Sequence, residues 1–283
     1  MALNVLVTGA STGIGYSIAN HLPKDTYHVF AGARKPEDLE KLNKISGVTA
    51  IKLEVTDRQD ILSAAQIIAE KGGLFALVNN AGIANTATIL DTPTKAQEYL
   101  FDVNVFSHLN LVKTFFEQLK NHKGKIINIS SISAFIGGGG YSSTKRSVNS
   151  YSIEMASELR KFGITTSVVN PGFIKTNIFE SSRKSSQEFR ENSEYYSEEY
   201  KKGHEAYEQL KNANIKDPIL VAKKVEQLLS SDNPPFYNVV ANRNEETFTF
   251  DDMFATIVSV NKGLDNPWTK KELQELFEKK FQS

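Results

Sequence analysis

The 283-residue chain has no cysteine, a single tryptophan and three methionines. Without cysteine there are no disulfides, thiolate zinc sites or cysteine nucleophiles, which fits a reducing compartment. The five histidines are scattered, none paired three or four apart on an expected helix, so no metal is expected. Net charge is lacking too, because 33 basic residues balance 33 acidic ones. That balance points to neither nucleic acid nor an anionic membrane. No apolar run approaches the roughly 20 residues of a membrane span, and Met1 leads straight into Leu3–Val7 without a signal-like leader. A soluble, cytoplasmic protein is expected. Its 40% hydrophobic content is enough for the core of a single α/β domain over 1–283.

What is present is an alternation of short β-rich runs and helical patterns. Leu3–Val7 reads as a buried strand, followed by Gly9-Ala10-Ser11-Thr12-Gly13-Ile14-Gly15 and a helical pattern to Pro23. Glycines in such a turn let the backbone approach a pyrophosphate, and the helix N-terminus attracts the anion. Tyr27–Ala33 is a second strand, ending in Arg34-Lys35-Pro36. An acidic residue there would bind the 2′-hydroxyl of NAD. Arg34 and Lys35 instead suit a 2′-phosphate, so NADP(H) is expected over NAD(H).

Further strands are expected at Val48–Leu53, Leu74–Val78, Lys125–Ile129, Thr165–Val169 and Tyr237–Val240. Helices are expected at about Arg58–Lys71 with Asp57 as N-cap, Thr94–Lys120, Tyr141–Phe162 and Pro218–Leu229. Asn79-Asn80-Ala81-Gly82 closes the fourth strand, suiting turn and cofactor contact equally. Asn104 sits in mid-helix among Val103, Val105 and Phe106, where Asn is unfavourable. It is either a core polar residue or an anchor for water. The short connections imply a Rossmann-like, doubly wound sheet of about seven mainly parallel strands, with helices on both faces and ligands at the strands' carboxyl ends.

The chemistry concentrates between Ser131 and Lys145. Tyr141 and Lys145 stand four apart and share a helix face, where an ammonium can lower the phenol's pKa. The same spacing at Tyr207 and Lys211 falls in a charged segment and reads as a solvated face. Ser131, at the end of the fifth strand, can hydrogen-bond a carbonyl oxygen that Tyr141 protonates.

These motifs together resemble the short-chain dehydrogenase/reductase family in its single-domain form. Thr8-Gly9-x-x-x-Gly13-x-Gly15, Asn79–Gly82, Asn104, Ser131, Tyr141-x-x-x-Lys145 and Pro171-Gly172 with Thr176 match in order. The resemblance implies a tetrad: Tyr141 as acid/base, Lys145 lowering its pKa and binding the nicotinamide ribose, Ser131 orienting the substrate oxygen, and Asn104 holding a proton-relay water. It also implies cofactor contacts from Gly9, Ser11, Thr12, Gly13, Ile14, Gly15, Arg34, Lys35, Glu54, Val55, Asn80, Ala81, Gly82, Asn104, Tyr141, Lys145, Pro171, Gly172, Ile174 and Thr176. Two departures stand out. Ser131 and Tyr141 are ten residues apart, a few fewer than usual, joined through Gly137–Gly140, which leaves Ser133 as a second candidate hydroxyl. Glu54 occupies a place where the family often has Asp near the adenine.

The implied activity is reversible reduction of a carbonyl, a lipophilic ketone or aldehyde, by NADPH. An NAD-dependent alcohol dehydrogenase and a dinucleotide-sensing protein without turnover are the alternatives. Residues 1–178 form the expected cofactor and catalytic core. Residues 179–217, with Phe189, Tyr196, Tyr200, Tyr207 and Leu210 near one helical face, form a docked helix or substrate lid. Residues 218–283 end in an amphipathic tail carrying Trp268, Leu273, Leu276 and Phe277. A homodimer or homotetramer is expected from the resemblance.

Overall fold

The computed structural model describes residues 2–281 except 86, 138 and 212–214, and omits the side chains of 179, 204, 206–211 and 248. The side chains of Tyr207, Lys211 and Leu210 therefore lie outside the described residues, as does Gly138 of the glycine run. Seven strands, β1 (Leu3–Val7), β2 (Tyr27–Ala33), β3 (Val48–Lys52), β4 (Ala76–Asn79), β5 (Lys125–Ile129), β6 (Thr165–Pro171) and β7 (Tyr237–Val240), form one sheet in the order β3-β2-β1-β4-β5-β6-β7. Every neighbouring pair is parallel. The chain winds outward from β1 to β3, then crosses back to β4, so the strand order reverses between β1 and β4. A ligand crevice belongs at the carboxyl ends there.

The strands are apolar on both faces because helices cover both. The helices before the catalytic loop are α1 (Gly13–His21), α2 (Pro36–Asn43), α3 (Arg58–Glu70), α4 (Thr94–Phe101) and α5 (Ser107–Asn121). Those after it are α6 (Gly139–Leu159), α7 (Ile178–Ser185), α8 (Gln187–Glu191), α9 (Ser197–Lys211), α10 (Ile219–Ser230), α11 (Arg243–Lys262) and α12 (Lys270–Phe281). Val5, Val7 and Val78 face a core with Ile18 of α1, Leu22 just after that helix, and Val225 and Leu228 of α10. Leu6 and Leu77 point the other way, toward Ile68 of α3 and Leu111 and Phe115 of α5. This is the period-2 alternation of a strand read from both sides. Asp57 caps α3, accepting the Gln59 and Asp60 N–H groups at 2.7 and 3.3 Å.

Three expectations change. The single helix expected over 94–120 is α4 and α5 joined by a π-helical turn, Asp102–Phe106, with Asn104 at its centre. The helix expected from Tyr141 starts earlier, at Gly139, where the glycines impose no side chain on the first turn. Residues 177–216 hold three helices rather than one aromatic face, because the polar run Asn192–Glu194 breaks the pattern between Phe189 and Tyr200. The tail is a helical pair: from Phe250 to Val260 every residue of α11 is exposed. The pair is joined by ring contacts from Phe250 to Phe254, Phe277 and Phe281, with centroids 6.5, 6.2 and 4.9 Å apart in turn.

Candidate active site

The site begins where β5 ends. Ser131 leaves the strand in extended conformation and caps a short 3-10 turn, Ile132–Ala134, its Oγ accepting the Ser133 N–H at 3.1 Å. The Ser131 side chain lies near enough to the Tyr141 phenol to draw its pKa down. Ser133 Oγ is buried and has no partner among the described residues. Between the two candidate serines, geometry brings Ser131 to Tyr141.

Tyr141 and Lys145 lie on successive turns of α6, and the Lys145 Nζ is 5.7 Å from the Tyr141 ring centroid. Lys145 is almost fully buried and donates to the Ile129 carbonyl at 2.9 Å, so its ammonium is braced against the end of β5. Burial draws the Lys145 ammonium down to about 8. Burial also pushes the Tyr141 phenol up to about 12, with Ser131 pulling the other way. Loss of water around the phenolate is the larger cause.

Asn104 is fully buried in the π turn. Its Nδ2 donates to the Ile83 carbonyl (2.8 Å) and Thr144 Oγ1 (3.0 Å), and its Oδ1 accepts the Ile83 N–H (2.8 Å). Thr144 Oγ1 in turn donates to the Tyr141 carbonyl at 2.7 Å. One carboxamide thus ties the segment after β4 to the turn of α6 that carries Tyr141. The wider π turn lets Asn104 face inward without breaking the helix, and such turns recur at functional sites. His108, one turn on, is buried with Nε2 3.3 Å from the Ala81 carbonyl. Burial first, and the Lys145 charge second, draw it down to about 3. Neither Thr144 nor His108 carries a motif that sequence alone would single out.

At the other end of the crevice the glycine turn is braced by side chains. Thr8 Oγ1 accepts the Asn80 and Ala81 N–H groups at 3.0 and 2.9 Å, and Asn80 Nδ2 donates to the Thr8 and Gly9 carbonyls at 2.8 and 3.1 Å. The Asn80 carboxamide therefore makes the turn rather than lying free for a ligand. A side chain at Gly15 would overlap the Gly9 carbonyl and Asn80, so only glycine permits this approach. Thr12, the N-cap of α1, makes no side-chain capping bond, and the first turn holds no acidic residue. Beside it lies a cavity of about 340 Å³ lined by Ser11, Thr12, Arg34, Lys35, Glu37, Asp38, Asn177 and Ser181. Arg34 also bridges to Glu54 at 3.2 Å. Val55 is buried in the core beside Leu53 and Ile61. Thr176 comes close to Gly13, bringing the segment after β6 onto the glycine turn, and Ile174 is anchored to Lys216 by an isolated bridge. Pro171 and Gly172 lie between, at the end of β6. Asn177 and Ser181 are wall residues that the sequence did not reveal, because they reach the cavity only through the turn into α7.

The residues fit a dinucleotide: a backbone bare enough for a pyrophosphate, an uncapped helix N-terminus and a basic pair at the far wall. Such a cradle, leading to a Ser–Tyr–Lys group beneath the next strand ends, defines a nicotinamide-dependent oxidoreductase. The family model for short chain dehydrogenases matches residues 3–187, and the chain belongs to that family. Among curated relatives, the uncharacterized oxidoreductase YusZ of Bacillus subtilis (strain 168) is 33% identical over 234 residues, covering 79% of this chain and 83% of that one. Estradiol 17-beta-dehydrogenase 2 of Rattus norvegicus is 34% identical over 185 residues, 62% of this chain and 49% of the rat enzyme. Among solved structures, a short-chain dehydrogenase from Streptomyces avermitilis aligns with TM-score 0.78 and 26% identity, covering 93% of this chain and 96% of that one.

Proposed function

We propose that the protein reduces a lipophilic ketone or aldehyde to an alcohol, reversibly, with NADPH as cofactor. When bound, the nicotinamide supplies the hydride. The chain supplies the proton: Tyr141 gives its phenolic hydrogen to the carbonyl oxygen, which Ser131 holds through its hydroxyl. Lys145, still largely protonated at neutral pH, opposes the negative charge left on the phenol oxygen and can reach the nicotinamide ribose. Asn104 holds α6 against the segment after β4 and has the chemistry to anchor a water between Lys145 and solvent. The observation that carries this reading is the pairing on one face of α6 of Tyr141 with the buried Lys145, whose Nζ lies 5.7 Å from the ring, with the phenol pushed up to about 12. A phenol that keeps its proton near pH 7 is in the acid form that carbonyl reduction requires.

NADPH is supported by Arg34 and Lys35 on the cavity wall, where a 2′-phosphate finds charge-assisted donors. A second reading, NAD(H), is favoured by the Arg34–Glu54 bridge and by Glu37 and Asp38 on the same wall. A lipophilic substrate is supported by the likeness to a relative whose name records estradiol as its substrate, and by the aromatic residues of 179–217. The test is initial rates with NADPH and NADH over a panel of aldehydes, ketones, steroids and retinal, for the wild type, Arg34→Ala and Tyr141→Phe. Turnover preferring NADPH, with the preference lost in Arg34→Ala and turnover lost in Tyr141→Phe, is expected. An NADH preference untouched by Arg34→Ala sinks the cofactor assignment, and turnover surviving Tyr141→Phe sinks the acid.

A further inference from the structure

We propose that Glu245 is a positioning residue that sets the backbone of the loop after β6, and through it the affinity for the dinucleotide. The proposal rests on the reading that Pro171–Thr176 lies along the cofactor. The chain leaves β6 at Pro171 and turns through Gly172 and Phe173. The Gly172 N–H is taken by the Val240 carbonyl at 3.0 Å, and the Phe173 carbonyl accepts the Lys216 N–H at 3.2 Å. The Phe173 N–H donates to Glu245 Oε1 at 2.9 Å.

Glu245 belongs to the other end of the chain, in the first turn of α11. Its Oε2 accepts the Asn242 N–H at 2.7 Å, and Asn242 Oδ1 accepts the Glu245 N–H at 3.0 Å, which is a capping box. An ordinary capping box sits at the surface and serves only its own helix. Here the carboxylate is 5% exposed, and one oxygen is spent on a residue 72 positions away. The neighbouring Arg243 pairs with Glu246 instead, at 3.3 Å. The buried charge is held by backbone N–H groups and the N-terminal end of α11, partners whose directions are fixed.

The fit is close from the loop side too. A Cβ at Gly172 would overlap the Glu245 carboxylate, so the glycine leaves the space that the carboxylate fills. The carboxylate is therefore a clamp between the loop and the base of the α11–α12 pair. Moving either shifts the Phe173 N–H, and with it the path of Ile174 and Thr176 toward Gly13.

The experiment compares full-length wild type, Glu245→Gln, Glu245→Ala and Asn242→Ala. Asn242→Ala removes the reciprocal side-chain cap of α11 but leaves the carboxylate on Phe173. Three quantities are read: NADPH and NADH dissociation constants by titration, KM for the dinucleotide against kcat, and amide exchange of residues 172–176 in the cofactor-free protein. Glu245→Ala is expected to weaken the bound dinucleotide at least tenfold, with kcat changed less than threefold, and to speed exchange at Phe173. Glu245→Gln keeps one acceptor and is expected to fall between. Asn242→Ala is expected to lower the melting temperature while leaving affinity within twofold. Equal losses of affinity in Asn242→Ala and Glu245→Ala would reduce Glu245 to a helix cap and overturn the proposal, as would unchanged exchange at Phe173 in Glu245→Gln. If the wild type binds neither dinucleotide, the functional reading fails, while exchange at 172–176 still decides the clamp.

Discussion

Burial moves the titrating side chains of the site, and their pH dependence follows from the direction of each shift. His108 is held at about 3 against an ordinary value near 6.5. Between those values the unfolded chain binds a proton that the folded chain refuses, so stability falls as pH drops from about 6.5 toward about 3. The slope is up to about 1.4 kcal/mol per pH unit. His108→Gln is expected to flatten that acid limb in denaturant titrations from pH 7 to 4, and an unchanged limb would contradict it. Lys145, drawn down to about 8, loses its charge just above neutrality. A fall in reduction rate on raising pH through about 8, under saturating substrate, is expected from that loss. The spacing of Tyr141 and Lys145 was legible in the sequence, as was the candidacy of Ser131. How far the Tyr141 phenol is buried was not, because burial is decided by residues packing from elsewhere in the chain, and His108 was not singled out for the same reason.

Elements carry the next set of consequences. The π turn delivers Asn104 to Ile83 and Thr144 at once, so Asn104→Ala leaves buried donors and acceptors of both segments unpaired. Each unpaired group costs about 1–3 kcal/mol. A drop in melting temperature together with a lowered kcat is expected, and a drop in melting temperature alone would confine Asn104 to structure. The segment α7–α9 is latched onto the loop after β4. Tyr200 donates to Asp91 Oδ2 at 2.5 Å and accepts the Thr88 N–H at 2.7 Å, Ser193 donates to the same Asp91 oxygen at 3.0 Å, and Ser186 Oγ donates to Asn85 Oδ1 at 2.8 Å. The hydrogen bond from Tyr200, with those from Thr88 and Ser193, holds Asp91 below the usual carboxylate range, although burial opposes them. Tyr200→Phe is expected to raise cleavage within 178–211 roughly tenfold in limited proteolysis, the equivalent of losing one hydrogen bond to a charged group. Equal cleavage would mean that the latch is held elsewhere. The aromatic and charged composition of 177–216 read as a docked helix or a substrate lid. It did not announce the breaks, since Ser193 reads as a tolerable helix residue until its tertiary partner, Asp91, is known.

At the scale of the whole molecule, the parallel, doubly wound sheet follows from alternation of strand and helix patterns, and this was the most legible part. Each β-rich run is short and bounded, and each crossover is long enough for a helix. The reach of the C-terminal pair was not legible, because an amphipathic pattern looks the same whether its apolar stripe is covered or open. The outer face of α6 keeps Tyr151 and Ile153 exposed, and Phe106 is exposed in the π turn between α4 and α5. We expect two copies to meet there, with a mass of at least twice the chain by light scattering at micromolar concentration, and a monomer would refute it. The sheet order has a consequence in time as well as in space. Ile18 of α1 and Leu22 just after it are covered by α10, which is encoded about 200 residues later. A ribosome adding about 5–20 residues per second takes roughly 10–40 s to reach it. For that interval the first helix of the nascent protein waits without its partner, and how long it waits is set by the pace of translation.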